Sequence, residues 1–276
     1  FNINQLRVDL KLAEIELEIE INSKIKGQAI LNVTQEELGV KKEFKIDISK
    51  GLNKVINQLK VDNPKLWWPS GHGDQHLYNF KVNFSFNGST LNLKKRIGFR
   101  SVEVIRDIDS KGESFVVKVN GRPIFLKGAN WIPADSFTTR LKEEDYKSLI
   151  QSAVNANMNT LRVWGGGIYE PELFYKLCDE LGILVWQDFM FACSLYPANK
   201  KFINSVEREA SYQIQRLKSH ACIILWCGNN EVADAWFNWG WKEKLPDDLW
   251  SDYKTLFHSI LPMVCKDYDP KRLYWP

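Results

Sequence analysis

The stretch Cys222-Ile223-Ile224-Leu225-Trp226-Cys227-Gly228-Asn229-Asn230-Glu231-Val232 decides the fold. Its first six residues are apolar, which is the pattern of a strand that is buried on both faces. Gly228 ends this strand, and Asn230 and Glu231 follow at its carboxyl end. An amide beside a carboxylic acid can bind a ligand hydroxyl while the acid donates a proton. The apolar run also predicts low-dielectric surroundings for Glu231, which favour a protonated carboxyl group.

Each of these residues also has a purely structural interpretation. Gly-Asn-Asn is common in turns, so Asn229 and Asn230 could serve the turn alone. A Glu near the first turn of a helix is stabilised by the helix dipole. An amide and an acid that stand together after a buried strand nevertheless favour catalysis by Asn230 and Glu231.

Outward from this stretch, apolar runs alternate with helical patterns from residue 108 onwards. The runs predict strands over 124–131, 160–164, 184–191, 222–226 and 273–275, and the patterns between them predict helices around 146–154, 174–181, 202–217 and 249–260. Gly182 is the expected end of the second helix, and Pro262 is expected to end or kink the last one. Continuous apolar strands with helical crossovers predict a parallel sheet, either open and doubly wound or a (β/α)8 TIM barrel.

The residues that follow successive strands favour the barrel, because a barrel assembles its site at the carboxyl ends of its strands. Trp131 follows the first strand, Trp164 and a Gly-Gly-Gly run follow the second, and Asp188 lies in the third. Asp188 could contact a ligand or cap the following loop. Arg162 is a cation inside an apolar strand and needs an acidic partner. That partner is either a catalytic carboxylate or one member of a salt bridge between layers of the barrel.

The first hundred residues show a different period. Apolar and polar residues alternate from Leu6 to about Ile105, and Asn87-Gly88 is a strong signal for a two-residue hairpin turn. Several short alternating strands without a helix predict an antiparallel sandwich of immunoglobulin type. The predicted architecture is therefore multidomain, all-β plus α/β: an immunoglobulin-like β-sandwich over 1–107, then the first part of a TIM barrel over 108–276, truncated near its fifth strand.

The amino-acid composition indicates which kinds of partner and ligand to expect. The 276 residues carry 37 basic and 34 acidic side chains, a net charge of +3 without basic runs, so we expect no nucleic-acid partner. No stretch approaches the length of a membrane span. The five cysteines include no C-x-x-C pair, which argues against a zinc site or a disulfide framework but leaves a single bridge open. The four histidines lack metal-ligand spacing and are interpreted as surface or satisfied core residues, so we expect neither a metal nor a cofactor.

Three motifs follow successive predicted strands: Arg162-Val163-Trp164-Gly165-Gly166-Gly167, Trp186-Gln187-Asp188-Phe189-Met190-Phe191 and Trp226-Cys227-Gly228-Asn229-Asn230-Glu231. Together they resemble the corresponding motifs of the β-mannosidases of glycoside hydrolase family 2. Lys127-Gly128-Ala129-Asn130-Trp131-Ile132-Pro133 and Arg96-Ile97-Gly98-Phe99-Arg100 fit the same family. The resemblance implies retaining hydrolysis of terminal β-D-mannose residues from a β-mannoside oligosaccharide or glycan. It further implies Glu231 as acid/base, Asn230 on the sugar 2-hydroxyl, Trp164 and Trp239 on the sugar, and Arg162 orienting the nucleophile. Trp131 and Asp188 would be further substrate-binding residues.

The same resemblance places two parts of the enzyme outside this sequence. The family's nucleophilic Glu would lie beyond Pro276 and its sugar-binding jelly roll before Phe1, so we expect this chain alone to be inactive. A targeting segment would also lie before Phe1, in keeping with a bacterial periplasmic or lysosomal setting. We expect self-association through the open edges of the incomplete barrel.

Two alternatives remain. One is a family 2 glycosidase for another β-sugar, such as a glucosaminide, galactoside or glucuronide. Family 2 galactosidases and glucuronidases usually carry an Arg-Thr-Ser/Asn-His-Tyr-Pro-like segment where this chain has Arg-Val-Trp-Gly-Gly-Gly, which favours mannose. The other alternative is a non-catalytic carbohydrate-binding fragment.

Overall fold

A computed structural model describes residues 1–276, and its first hundred residues form two antiparallel sheets. The strands are β1 Asn2–Val8, β2 Leu12–Ser23, β3 Gly27–Gln35, β4 Val40–Ile48, β5 Gly51–Asp62, β6 Tyr78–Phe86 and β7 Ser89–Ile97. One sheet has the order β1-β2-β5 and the other has the order β4-β3-β6-β7. The expected turn joins β6 to β7, because Asn87 and Gly88 have φ values of 48° and 76°.

Alternation along these strands buries one face of each sheet in a common core. Ile15 and Leu17 of β2 belong to the same buried cluster as Leu31 of β3 and Phe80 of β6. The two sheets therefore pack face to face as a sandwich, which is the arrangement that the period of two predicts.

A small sheet connects the sandwich to the rest of the chain. Its strands are β8 Val102–Ile105, β11 Val116–Val119 and β12 Arg122–Ile124, and the two-residue strands β9 Ile108–Asp109 and β10 Gly112–Glu113 form a hairpin between β8 and β11. The expected boundary at residue 107 falls inside this unit, because β8 pairs with β11 rather than with the sandwich. Val117 and Val119 share a buried cluster with Trp67 and Leu225, so this sheet packs against the second half of the chain.

The second half contains five parallel strands in chain order, as the sequence predicts. They are β13 Gly128–Trp131, β14 Thr160–Val163, β15 Leu184–Asp188, β16 Ile223–Cys227 and β17 Leu273–Trp275. The helices are α1 Glu143–Asn155, α2 Glu172–Leu181, α3 Lys200–Leu217, α4 Val232–Asn238, α5 Asp248–Thr255 and α6 Leu261–Tyr268, with a 3₁₀ turn at Thr138–Arg140 and a π-helical turn at Leu256–Ile260. None of these helices combines the length and the hydropathy that a membrane-spanning helix requires.

Several boundaries differ from the expected ones. The first expected strand, 124–131, is divided between β12 and β13, and β15 ends at Asp188 instead of Phe191. Helix α4 was not expected at all. Gly182 ends α2 as predicted, with a φ of 73°. Pro262 lies in the first turn of α6, directly after the π-helical turn, so the helical region changes geometry there and continues.

Candidate active site

Asn230 lies beyond β16 and is fixed by backbone pairing to the loop after β15. Its N–H donates to the carbonyl of Phe191 at 2.9 Å, and its carbonyl accepts from the N–H of Cys193 at 3.0 Å. The parallel pairing of the two strands thus extends past their ends, through a bridge between Ala192 and Asn230. Asn230 is 7% exposed, so its amide has a fixed position beside the sheet edge.

Arg162 is the central cation of the site and contacts three polar side chains. Its Nε and Nη2 donate to the two carboxylate oxygens of Asp188 at 3.2 and 2.7 Å. Nη2 also donates to Oδ1 of Asn230 at 2.9 Å, and Nη1 donates to Oδ1 of Asn130 at 3.2 Å. Arg162 therefore connects the ends of β13, β14 and β15 with the residue that precedes Glu231.

Asp188 is the acidic partner of Arg162 and is completely buried. It also accepts the N–H of Gly165 at 3.0 Å. Burial raises the pKa of the Asp188 carboxyl group, and the charge and hydrogen bonds of Arg162 oppose that rise. The side chain of Asp188 has no exposed surface, and its contacts here are with Arg162 and Gly165, so its expected contact with substrate stays a prediction. Arg162 and Asp188 form a salt bridge in this structure, and a catalytic carboxylate as a further partner of Arg162 stays a prediction.

The carboxylate of Glu231 lies at the carboxyl ends of the parallel strands. Its Oε2 accepts from Nδ2 of Asn230 at 3.1 Å and from Sγ of Cys193 at 3.4 Å. The residue caps α4 with a φ of 60°, a left-handed conformation that is unfavourable for a side chain of this size. Glu231 is exposed, so the expected apolar surroundings are absent. The turn role belongs to Asn229, whose Oδ1 accepts the N–H of Val232 at 3.0 Å.

The three tryptophans proposed for substrate occupy different environments. Trp164 is half-buried after β14, and Gly166 lies against its indole, where an added Cβ would be 2.0 Å from Cη2. Trp239 is 44% exposed, and its Nε1 donates to Asp234 at 2.9 Å. Trp131 is 8% exposed and donates through Nε1 to Glu170 at 2.9 Å. Trp131 is thus mostly buried with a satisfied N–H, and its expected role in substrate binding stays a prediction.

This chain is similar to known proteins in both sequence and fold. Residues 2–100 match the sequence model of a protein family described as "Glycosyl hydrolases family 2". Bovine β-mannosidase (Bos taurus) is 44% identical over 269 residues, which are 94% of this chain and 30% of that protein. The chain is homologous to part of the β-mannosidases. β-Mannosidase B of Aspergillus fumigatus is 36% identical over 292 residues, covering 99% of this chain and 33% of that protein.

Solved structures agree with this homology. The crystal structure of β-D-mannosidase from Dictyoglomus thermophilum superimposes with a TM-score of 0.89 at 42% identity, covering 99% of this chain and 34% of that one. An exo-chitosanase from Amycolatopsis orientalis has a TM-score of 0.70 at 22% identity over 79% of this chain and 26% of that one, a likeness of fold alone. This chain spans about a third of the length of the relatives it matches.

Sequence reasoning missed one side chain beside Glu231. Cys193 follows β15 by five residues, and its thiol contacts both Glu231 and the Asn230 amide, the latter at 3.4 Å. All five cysteines of this chain are free, and Cys193 alone is exposed. An unpaired cysteine shortly after a strand end was the only signal in the sequence, and it is too common to indicate a site.

His220 is a satisfied core histidine, in agreement with the sequence. Its Nδ1 lies 2.6 Å from Asp179 and its Nε2 lies 3.2 Å from Glu172. Potential metal-ligand atoms of Asp179, His220 and Cys222 lie within 4.8 Å of one another. Asp179 is already engaged by His220 and by the N–H of Cys222, at 2.8 Å for the latter. The group therefore has the contacts of a structural polar cluster in the core.

Proposed function

We propose that this chain supplies the acid/base half of a retaining β-mannosidase site, with Glu231 as the acid/base. In this proposal the sandwich is an immunoglobulin-like domain and the five parallel strands are the first part of a (β/α)8 barrel. One observation carries it: the exposed carboxylate of Glu231 is held at the carboxyl edge of the sheet by an amide, and that amide is fixed by the Arg162–Asp188 pair.

Retaining hydrolysis needs a second carboxyl group about 5 to 5.5 Å from the acid/base. The hydrogen-bond partners of Glu231 are Asn230 and Cys193, and neither is a carboxylate. Asp188 is buried and paired with Arg162, which makes it a poor nucleophile. We propose that the nucleophile lies in a part of the protein outside these 276 residues.

Glu231 would act twice in the reaction. Its protonated carboxyl group donates to the glycosidic oxygen while the nucleophile attacks the anomeric carbon, and its carboxylate then removes a proton from the water that releases the sugar. Arg162 contributes by fixing the direction of the Asn230 amide. Because Arg162 binds Oδ1, Nδ2 is left on the side of Glu231, where it can donate to a sugar hydroxyl.

The proposed substrate is a glycan with a terminal β-D-mannose residue, in line with the names of the relatives. Trp164 and Trp239 retain exposed indole surface, and the apolar face of a pyranose can pack on such rings. The polar side chains at this edge of the sheet would supply the specificity that stacking lacks.

A panel of aryl β-glycosides tests this proposal. The full-length gene product that contains this chain should hydrolyse the mannoside in preference to the glucosaminide, galactoside and glucuronide. Glu231→Gln should strongly lower kcat for the mannoside, because release of the sugar from the glycosyl-enzyme needs the base. The 276-residue chain should give no turnover. Preference for another sugar would overturn the substrate assignment, and turnover by the chain alone would overturn the assignment of the nucleophile. A carbohydrate-binding role would instead appear as mannose binding by the chain that is lost in Trp164→Ala.

A further inference from the structure

Cys193 lies where it can control the carboxylate of Glu231. We propose that Cys193 is a positioning residue for the acid/base, whose S–H group holds Oε2 of Glu231 in the orientation from which it exchanges a proton with substrate. This inference rests on the proposed function of Glu231. It adds a residue that the three motifs of the sequence do not identify.

The position of the thiol is set by the backbone around it. Cys193 has a left-handed φ of 46°, and its N–H is bound to the carbonyl of Asn230 at 3.0 Å. The hydroxyl group of Tyr196 accepts the N–H of Ala192 at 2.9 Å and contacts its carbonyl at 3.2 Å. Two left-handed residues, Cys193 and Glu231, are thus held face to face by the extended strand pairing. Such strained conformations persist only where the surrounding contacts enforce them.

The chemistry of a thiol suits this role. Burial and the neighbouring Glu231 carboxylate raise the pKa of the Cys193 thiol, so the sulfur keeps its proton near neutral pH. A thiol is a weak donor, which can orient a carboxylate without holding it as tightly as a cation would. Glu231 can therefore change its protonation state during the reaction while its direction is maintained. The Asn230 amide contacts the same oxygen, so two donors define one orientation.

Thiol reactivity tests the contact in the 276-residue chain itself. Iodoacetamide should label Cys193 selectively, because the other four cysteines are buried. Glu231→Gln removes the neighbouring charge and should speed labelling of Cys193 at pH 8, because the thiolate fraction rises when the pKa of the thiol falls. Asp234→Asn also removes a negative charge, but one turn further along α4, and it should leave the labelling rate of Cys193 unchanged. Equal rates in Glu231→Gln and the unaltered chain would refute the contact.

Kinetics of the full-length protein test the role. Cys193→Ala should lower kcat about 3- to 10-fold at constant KM for a mannoside with a poor leaving group, the loss expected from one neutral hydrogen bond. Cys193→Ser keeps a donor and should restore most of kcat. Cys193→Ala should have little effect on kcat/KM for a dinitrophenyl mannoside, because that leaving group departs without a proton. If Glu231→Gln removes activity but Cys193→Ala leaves kcat unchanged, the inference is wrong and the proposed function stands. If Glu231→Gln leaves activity intact, the proposed function itself is wrong.

Discussion

Replacing Arg162 with Met should leave the Asp188 carboxylate buried without its counter-ion while filling a similar volume. The change removes both hydrogen bonds from Arg162 to Asp188, together with the contacts to Asn230 and Asn130. Removing one partner of a buried ion pair costs about 3–5 kcal/mol. Arg162 keeps 26% of its side-chain surface exposed, so water screens part of the charge and we expect the lower end, about 3 kcal/mol.

The penalty should depend on pH. Burial raises the pKa of Asp188, and Arg162 opposes this rise, so the variant moves the folded-state pKa further above that of the unfolded chain. A protonated Asp188 needs no counter-ion. The full penalty is therefore present above the folded-state pKa, and it shrinks as the pH falls and the folded protein takes up a proton.

Urea unfolding at pH 7.5 and at pH 5 measures this prediction. Arg162→Met should lose about 3 kcal/mol at the higher pH and clearly less at the lower one. Adding Asp188→Asn to Arg162→Met should recover part of the loss, because the unpaired charge is then absent. Arg140→Met, which removes an exposed ion pair with Asp135, is the matched control and should unfold like the parent protein. A loss of the same size at both pH values, or no recovery in the double variant, would refute the reasoning.

Three other predictions concern packing, titration and association. Gly165→Ala would bring a Cβ to 2.6 Å from the carbonyl of Phe191, so urea unfolding should show a loss of about 1–3 kcal/mol, and an unchanged midpoint would contradict the packing described. Burial alone would lower the pKa of His220, but Asp179 and Glu172 outweigh burial and raise it, so this stabilisation is present below the unfolded-state pKa and is lost as pH rises through the folded-state pKa. Thermal melts should therefore show a fall in Tm across that range that is absent in His220→Gln; identical pH dependence would argue against it. The chain should also self-associate in sedimentation velocity, because β13 and β17 are edge strands of the parallel sheet, and a monodisperse monomer would oppose this.

Much of the fold is readable from local patterns, and the exceptions have distant causes. Alternating residues predict the sandwich, and Asn87-Gly88 predicts its hairpin, because the signal and the structure involve the same few residues. The break between β12 and β13 has another origin. The side chain of Asn159 donates to the carbonyl of Phe125 at 3.0 Å and accepts the N–H of Lys127 at 2.8 Å. A residue more than thirty positions away thus satisfies the interrupted backbone, and no local pattern reveals this.

Some features of the candidate site are likewise predicted by local sequence patterns, and others depend on distant residues. The chain order of strand ends predicts that Arg162, Asn230 and Glu231 lie at one edge of the sheet, and they do. For the other candidate residues, whether the side chain can reach a ligand depends on its burial, and burial is set by packing in three dimensions. Trp131 and Asp188 have residue types suited to a sugar site, yet both are enclosed by neighbours. Cys193 reaches Glu231 only because its loop pairs with Asn230.

The dependence of hydrolysis on the leaving group tests most directly the claim that Glu231 is the acid/base. In the full-length protein, Glu231→Gln should lower kcat/KM for an alkyl β-mannoside by about 10²- to 10⁴-fold, the usual contribution of a general acid. Cleavage of a dinitrophenyl β-mannoside to the glycosyl-enzyme should be nearly unaffected, because that leaving group departs without a proton. An equal loss of kcat/KM on both substrates would contradict the account.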